Sequence, residues 1–195
     1  MPADAAPAPG GLAELTAAHL RDRPRGTALI DEAGALDYRG FDALCDRTAH
    51  WLAAQGIEAG DKVAVWLPNR REWLALLCAL ARLGATLVAI NTRYRSSELE
   101  YILARSRACM LVMQPSFRKI DFPAVLAGVP QDALPDLRTI ALVDADGDAP
   151  APVFGRHTVA WRPDAGQPAD RALPSRSIAI SSSALLLRYG GASKT

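Results

Sequence analysis

What this sequence lacks first is an excess of charge of either sign: 22 lysines and arginines stand against 21 aspartates and glutamates. So balanced a chain has no electrostatic footprint for a nucleic acid backbone or an anionic membrane surface. Cysteine is scarce as well. Cys45, Cys78 and Cys109 are far apart and form no C-x-x-C pair, which argues against a disulfide framework or a zinc site. Each sits in an apolar stretch, beside Leu44, Leu77 and Met110, and reads as a buried thiol in a reducing compartment. His19, His50 and His157 are scattered, with no acidic partner at a metal-ligand spacing. No long hydrophobic run is present either. The most apolar stretch, 73–90, is interrupted by Arg82 and Gly84 and sits at the short end for a membrane span. A buried helix followed by a buried strand accounts for it. Residues 1–11 are rich in Ala, Pro and Gly, with no basic start and no apolar segment of signal-peptide type. They read as a disordered lead-in, and the expected location is the cytoplasm.

What is present is enough apolar material for one sizeable core, half of 195 residues, and an alternation of helix and strand patterns. Phe41, Leu44, Cys45, Thr48, Ala49 and Leu52 recur at helical spacing, with Gly56 placed to end the helix. Residues 63–67 form a continuous apolar run stopped by Pro68 and Asn69, as a buried strand would be. A second helix is predicted over 70–83, closed by Gly84, and a strand over 86–90. Ser97 and Glu100 make an S-x-x-E capping pattern that opens a third helix reaching about Arg105, and 109–113 is a third strand. Beyond Pro115 the pattern predicts a helix over 122–127 and a strand over 139–143. Residues 144–172 read as connecting loop with room for a short strand, and 178–180 and 184–187 restore strand character. Short apolar strands alternating with helices predict an α/β fold, a partial parallel sheet flanked by helices on its faces.

Few stretches carry recognisable chemistry. Gly190, Gly191, Ala192, Ser193, Lys194 and Thr195 follow an apolar strand. Two glycines there let the backbone turn sharply and aim N–H groups at an anion, with hydroxyls and one ammonium nearby. A strand-ending turn has the same composition, and the stretch is not a Walker loop, because Ser193 and Arg188 occupy its glycine positions. Asp144-x-Asp146-Gly147-Asp148 resembles the start of a calcium loop, but the glycine falls one place early and the twelfth position is Gly155. Ser181, Ser182 and Ser183 have no base beside them. Arg93 and Arg95 flank Tyr94 just past a strand, at the end of a parallel sheet where ligands bind; anchoring a loop is the alternative role for them.

Taken in order, the pieces form a longer pattern. A helix opening at Tyr38…Leu44 precedes Gly56-Ile57 and Gly60-Asp61-Lys62-Val63-Ala64-Val65-Trp66-Leu67-Pro68-Asn69, then Glu72. Gly84-Ala85-Thr86, Ile90-Asn91-Thr92-Arg93-Tyr94, Glu98-Leu99 and Tyr101-Ile102-Leu103 follow. This string resembles the N-terminal subdomain of the adenylate-forming superfamily, which holds acyl-CoA synthetases, adenylation domains and luciferases. The resemblance covers about Leu12 to Met113, with Ala184 to Thr195 matching by position, so that 12–195 is expected to be an incomplete AMP-binding domain.

The resemblance implies a ligase of carboxylic acids, of the kind used in fatty acid metabolism. The acid would attack the α-phosphate of ATP to give an acyl-adenylate, and the thiol of coenzyme A would then take the acyl group, with Mg2+ accompanying the triphosphate. The implied partner is a small carboxylic acid. An adenylation domain loading a carrier protein and a truncated, non-catalytic remnant of the fold are the alternative readings. In such enzymes a Ser/Thr/Gly-rich loop cradles the phosphates and ends in Pro-Lys. Gly191 matches the loop glycine, while Gly190, Tyr189, Ala192 and Lys194 depart from the usual residues. The family's adenine, acyl-pocket and catalytic-lysine motifs would lie past Thr195. The 195 residues alone are therefore expected to be inactive, and to associate through sheet faces and an edge awaiting cover. The register from Gly191 also predicts that proline and lysine are encoded directly after Thr195. Sequencing the reading frame checks this; any other pair there would favour the remnant.

Overall fold

The computed structural model describes residues 18–145 and 150–164. The proposed lead-in at 1–11, the strands at 178–180 and 184–187, and the loop at 190–195 lie outside the described residues. After a helical stretch at 18–22, a hairpin forms from β1 (Thr27–Asp31) and β2 (Gly34–Asp37). The sequence reading did not anticipate it. Its turn is closed by the Asp31 carboxylate accepting from the Ala33 N–H, and Gly34 takes φ 102°.

Helix α1 (Tyr38–Ala54) begins on Asp37, whose side chain accepts from the Gly40 N–H at 2.7 Å. That bond satisfies one of the donors a helix start leaves unpaired. The helix ends with Gly56 at φ 79°, as its place in the sequence implied. Strand β3 (Lys62–Trp66) leads to α2 (Arg71–Leu83), which Gly84 closes in the left-handed region at φ 77°. Strand β4 (Thr86–Ala89) leads to α3 (Ser96–Ser106), and β5 (Met110–Met113) follows. A two-residue ladder, β6 (Ser116–Phe117) with β7 (Ile120–Asp121), precedes α4 (Phe122–Ala127), β8 (Thr139–Leu142) and β9 (His157–Ala160).

The third helix opens earlier than its capping pattern suggested. Ser96 is its first residue, and Glu98 rather than Glu100 reaches back, accepting from the Arg95 N–H at 3.0 Å. Serine spacing pointed to Ser97. The backbone instead turns at Arg95, because the Ser96 hydroxyl donates to the Val125 carbonyl of α4 at 2.6 Å and fixes the start of the helix against its neighbour.

Five strands form one parallel sheet in the order β4-β3-β5-β8-β9. Side chains alternate across it, as the two-residue strand period requires. Val63, Val65, Met110, Val112 and Ala141 pack with α1 and α2 on one face, whereas Ala64, Trp66, Leu111, Met113, Ile140 and Leu142 pack with α3 and α4 on the other. The chain's own helices thus cover both faces, and the expected shortage of cover is corrected. The crossover from β3 to β4 runs on one side and those from β4 to β5 and β5 to β8 on the other, so even a partial sheet is sandwiched. Among the described residues β4 and β9 remain edge strands.

Among the described residues, two side chains of this core, Thr48 and Trp161, hold an unmatched polar group. Thr48, fully buried in the face of α1, has a hydroxyl with no hydrogen-bond partner. A buried unsatisfied hydroxyl is destabilising, so Thr48→Val, which keeps the β-branched shape, should stabilise the fold by about 1 kcal/mol. Urea unfolding of the two proteins checks this; an unchanged or lower midpoint would contradict it.

Candidate functional site

In an open parallel sheet the crevice for ligands lies at the carboxyl ends of the strands, where the chain direction of successive crossovers reverses. Here β3 runs outward to β4, β4 crosses back to β5, and β5 runs on to β8. The reversal point is therefore between β3 and β5. The segments leaving these strands are Leu67-Pro68-Asn69-Arg70, Gln114-Pro115 and, from β8, Val143-Asp144.

Arg70 joins all three. Its guanidinium donates to Gln114 Oε1 at 3.1 Å, to both Asp144 carboxylate oxygens at 2.5 and 3.1 Å, and through Nε to Glu72 Oε2 at 2.6 Å. Gln114, 7 % exposed, spends its amide N–H on the Ser116 carbonyl at 2.5 Å. Asp144 adopts φ 61°, a backbone state that costs about 1 kcal/mol outside glycine and turns its carboxylate back onto Arg70. Burial opposes the Arg70 charge, but the bonds from Asp144 and Glu72 outweigh it and hold its pKa above the ordinary arginine range. Four of its five N–H donors are committed. This arginine therefore locks the ends of three strands together and has little capacity left for an anionic ligand.

The next residue fastens a second body. Arg71 donates from its backbone N–H and Nε to Asp31 Oδ2, at 3.3 and 2.7 Å, from Nη2 to Asp31 Oδ1, and to the Gly34 carbonyl at 3.0 Å. A carboxylate from the hairpin thereby sits at the first turn of α2, where the helix dipole favours negative charge. The Arg71 guanidinium draws the Asp31 pKa down from 3.8 to about 2. Between hairpin and helix lies a cleft of about 280 Å3, with Leu29, Ile30, Trp73 and Leu74 as its apolar wall and Asn69, Arg70 and Arg71 at its polar end. Ile30 is 76 % exposed. A larger cavity, about 440 Å3, opens at the opposite, amino end of the sheet around Lys62, Arg107, Asp136 and Arg138. Arg107 and Asp136 pair with each other there at 3.1 and 3.3 Å, and that end is not where such sheets bind ligands.

Of the residues singled out in sequence, Gly190, Gly191, Ala192, Ser193, Lys194 and Thr195 lie outside the described residues, as do Ser181, Ser182 and Ser183. Arg93 and Arg95 are exposed, and their segment is held through its main chain. The Arg93 N–H donates to Asn91 Oδ1 at 2.9 Å, and the Asn91 carbonyl accepts from Trp66 Nε1 at 3.1 Å. That is the loop-anchoring role. Trp66 in turn stacks on Phe122 with ring centroids 4.1 Å apart. Asp144, weighed in sequence as part of a calcium loop, is instead the acidic partner of Arg70. The Arg70–Gln114–Asp144 network was not foreseen, since its members are 44 and 74 residues apart. The position of each just after an apolar strand was the available signal.

Comparison with known proteins bears on the whole segment. The family model described as AMP-binding enzyme matches residues 16–179. YngI of Bacillus subtilis, a candidate acyl-CoA synthetase, is 40% identical over 117 residues, covering 60% of this chain and 21% of that protein. The medium-chain fatty-acid–CoA ligase of Escherichia coli is 32% identical over 134 residues, 68% of this chain and 24% of that one. A solved anthranilate CoA ligase, AuaEII in complex with anthranoyl-AMP, superposes with a TM-score of 0.60 at 25% identity, over 67% of this chain and 24% of its own. The chain thus spans about a fifth to a quarter of the length of these relatives.

The Asp31–Arg71 pair generates a pH prediction. Because the folded pKa of Asp31 is depressed, the unfolded chain binds the extra proton between about pH 4 and 2. The stability this carboxylate supplies is complete above about pH 4 and lost as pH falls toward 2. Asp31→Asn should therefore lower the urea midpoint at pH 7, with the difference closing by pH 2. A difference independent of pH would contradict the assignment.

Proposed function

Because the chain belongs to the AMP-binding enzyme family, we propose that it forms the amino-terminal part of an ATP-dependent carboxylic acid–CoA ligase, which makes an acyl-adenylate and then an acyl thioester. The observation that carries the reading is the family match across 16–179, on a parallel sheet covered by helices on both faces. Relatives named as CoA ligases support the reaction class, and the neighbour crystallised with anthranoyl-AMP supports an adenylate intermediate. The acid is a small carboxylic acid, fatty acids among the candidates, and the proposed location is the cytoplasm. Among the described residues no helix is long and apolar enough to cross a membrane.

The roles divide by region. The sheet and its Arg70 lock hold the carboxyl-end rim in one geometry. A rigid rim matters because attack of a carboxylate on the α-phosphorus, with pyrophosphate leaving, gains much of its rate from placing the reacting groups. Contacts to the ATP phosphates fall in this proposal to Gly190, Gly191, Ala192, Ser193, Lys194 and Thr195, whose backbone N–H groups and hydroxyls suit an anion. Among the described residues no group of three His, Cys, Asp or Glu side chains could hold a metal ion. In this proposal Mg2+ enters as counter-charge to the triphosphate.

The test is product analysis on the whole protein that contains this segment, supplied with ATP, Mg2+, coenzyme A and a panel of aliphatic and aromatic acids. An acyl-CoA formed with equimolar AMP is the expected outcome. AMP formed without acyl-CoA, but with a carrier protein acylated, would move the assignment to a carrier-loading adenylation domain. No acid-dependent AMP at all would favour the non-catalytic remnant.

A further inference from the structure

At the amino end of the sheet three cations stand around one cavity. Lys62, Cys109 and Arg138 lie side by side at the entries to β3, β5 and β8, each one place ahead of the paired row Val63, Met110 and Thr139. Main-chain bonds hold this row. The Cys109 N–H donates to the Lys62 carbonyl and the Arg138 N–H to the Cys109 carbonyl, both at 2.9 Å. Neighbouring strands are about 4.8 Å apart, so Lys62 and Arg138 flank Cys109 from positions roughly 9.6 Å from each other. Arg107 supplies the third cation. It ends α3 at φ 56°, a backbone state that disfavours any side chain. Its Nε and Nη2 donate to the two Asp136 carboxylate oxygens at 3.1 and 3.3 Å. The second acid of the cavity, Asp61, accepts from the Glu58 N–H at 2.9 Å. Lys62 and Arg138 are exposed, and among the described residues neither side chain makes a hydrogen bond or an ion pair.

We propose that this cavity, about 440 Å3, is a second anion site, which holds inorganic phosphate or pyrophosphate between Lys62 and Arg138 with Arg107 beside it. Its size falls in the ~300–1,000 Å3 range of small-molecule sites. Three cations against two carboxylates leave a positive excess, and one of those carboxylates is already spent on Arg107. Donors reaching in from two sides suit a tetrahedral phosphoryl group, whose oxygens point in several directions. A planar carboxylate fills one guanidinium fork only. Among the described residues, no aromatic or large aliphatic side chain lines the cavity to stack a base or hold an acyl chain. The ligand is therefore an inorganic phosphate species and neither a nucleotide nor a fatty acid. Sheets of this class take their substrates at the opposite end. An anion here binds apart from the carboxyl-end rim, whatever that rim takes up.

The experiment titrates the full chain with sodium pyrophosphate by calorimetry at fixed ionic strength, with inorganic phosphate and AMP alongside. The expected result is saturable pyrophosphate binding that Lys62→Met and Arg138→Met each weaken by about tenfold or more, the loss of one charged hydrogen bond. Both residues are exposed, so methionine keeps the stem of each side chain and spares the fold. Asp136→Asn should tighten binding severalfold, because it removes a negative charge and frees Arg107; damage to the fold would not strengthen binding. Lys194→Met, in the stretch proposed for the ATP phosphates, should leave these differences unchanged, so the two readings fail separately. Alkylation of Cys109 by iodoacetamide, followed on tryptic peptide 108–118, reads the cavity itself. Pyrophosphate should slow it in the native chain and fail to do so in Lys62→Met at the same concentration. AMP should bind no more tightly than inorganic phosphate. Absence of saturable binding, affinity unchanged in both methionine variants, unslowed alkylation of Cys109 or a preference for AMP would each overturn the proposal.

Discussion

Everything in this structure follows from the burial of one parallel sheet on both faces. Parallel strands need crossovers, and crossovers that fall on opposite sides cover both faces with helices. The strands consequently have no polar side, and charged residues are pushed to the strand ends. The Arg70 network at the carboxyl end is the result. Three strand termini meet there, each needs its polar groups satisfied, and a planar guanidinium with five donors can reach all of them.

The rim is built from separate pieces locked by charge. Arg70 ties β3, β5 and β8, while Arg71, its neighbour, ties the hairpin to α2. Adjacent arginines thus point two ways from one strand exit. Such a rim is rigid without being large, and it leaves an apolar cleft beside it whose wall includes the exposed Ile30. In an enzyme that must hold an acid against the α-phosphate of ATP, this rigidity suits the supporting half of the site. The described residues supply the scaffold, and the proposed phosphate contacts lie at 190–195.

The core was legible in sequence because its signals are local. Phe41, Leu44, Cys45, Thr48, Ala49 and Leu52 marked the face of α1 by spacing alone, and Gly84 marked the end of α2 through its lack of a Cβ. The resemblance to adenylate-forming enzymes came from the order of such pieces, and the family match agrees with it. The hairpin was missed because its strands are short and half exposed, so period-two burial hardly registers in Thr27–Asp31. The capping pattern of α3 was misread by two residues. The S-x-x-E spacing put it on Ser97 and Glu100, whereas it falls on Arg95 and Glu98, and a tertiary bond from Ser96 to α4 holds that start. Arg70 with Asp144, and Arg82 with Asp42, are pairings across the fold. Each depends on strand order or helix register, which residue spacing does not encode.

The central claim is that this sheet belongs to a module that activates carboxylates by adenylation. Carboxylate-dependent ATP–pyrophosphate exchange reads that step without needing the thiol. Measured side by side on the 195-residue chain and on a protein continuing past Thr195 into the regions its relatives possess, exchange above background is predicted for the longer protein only. Exchange by the 195 residues alone, or none by the longer protein with any acid, would contradict the account.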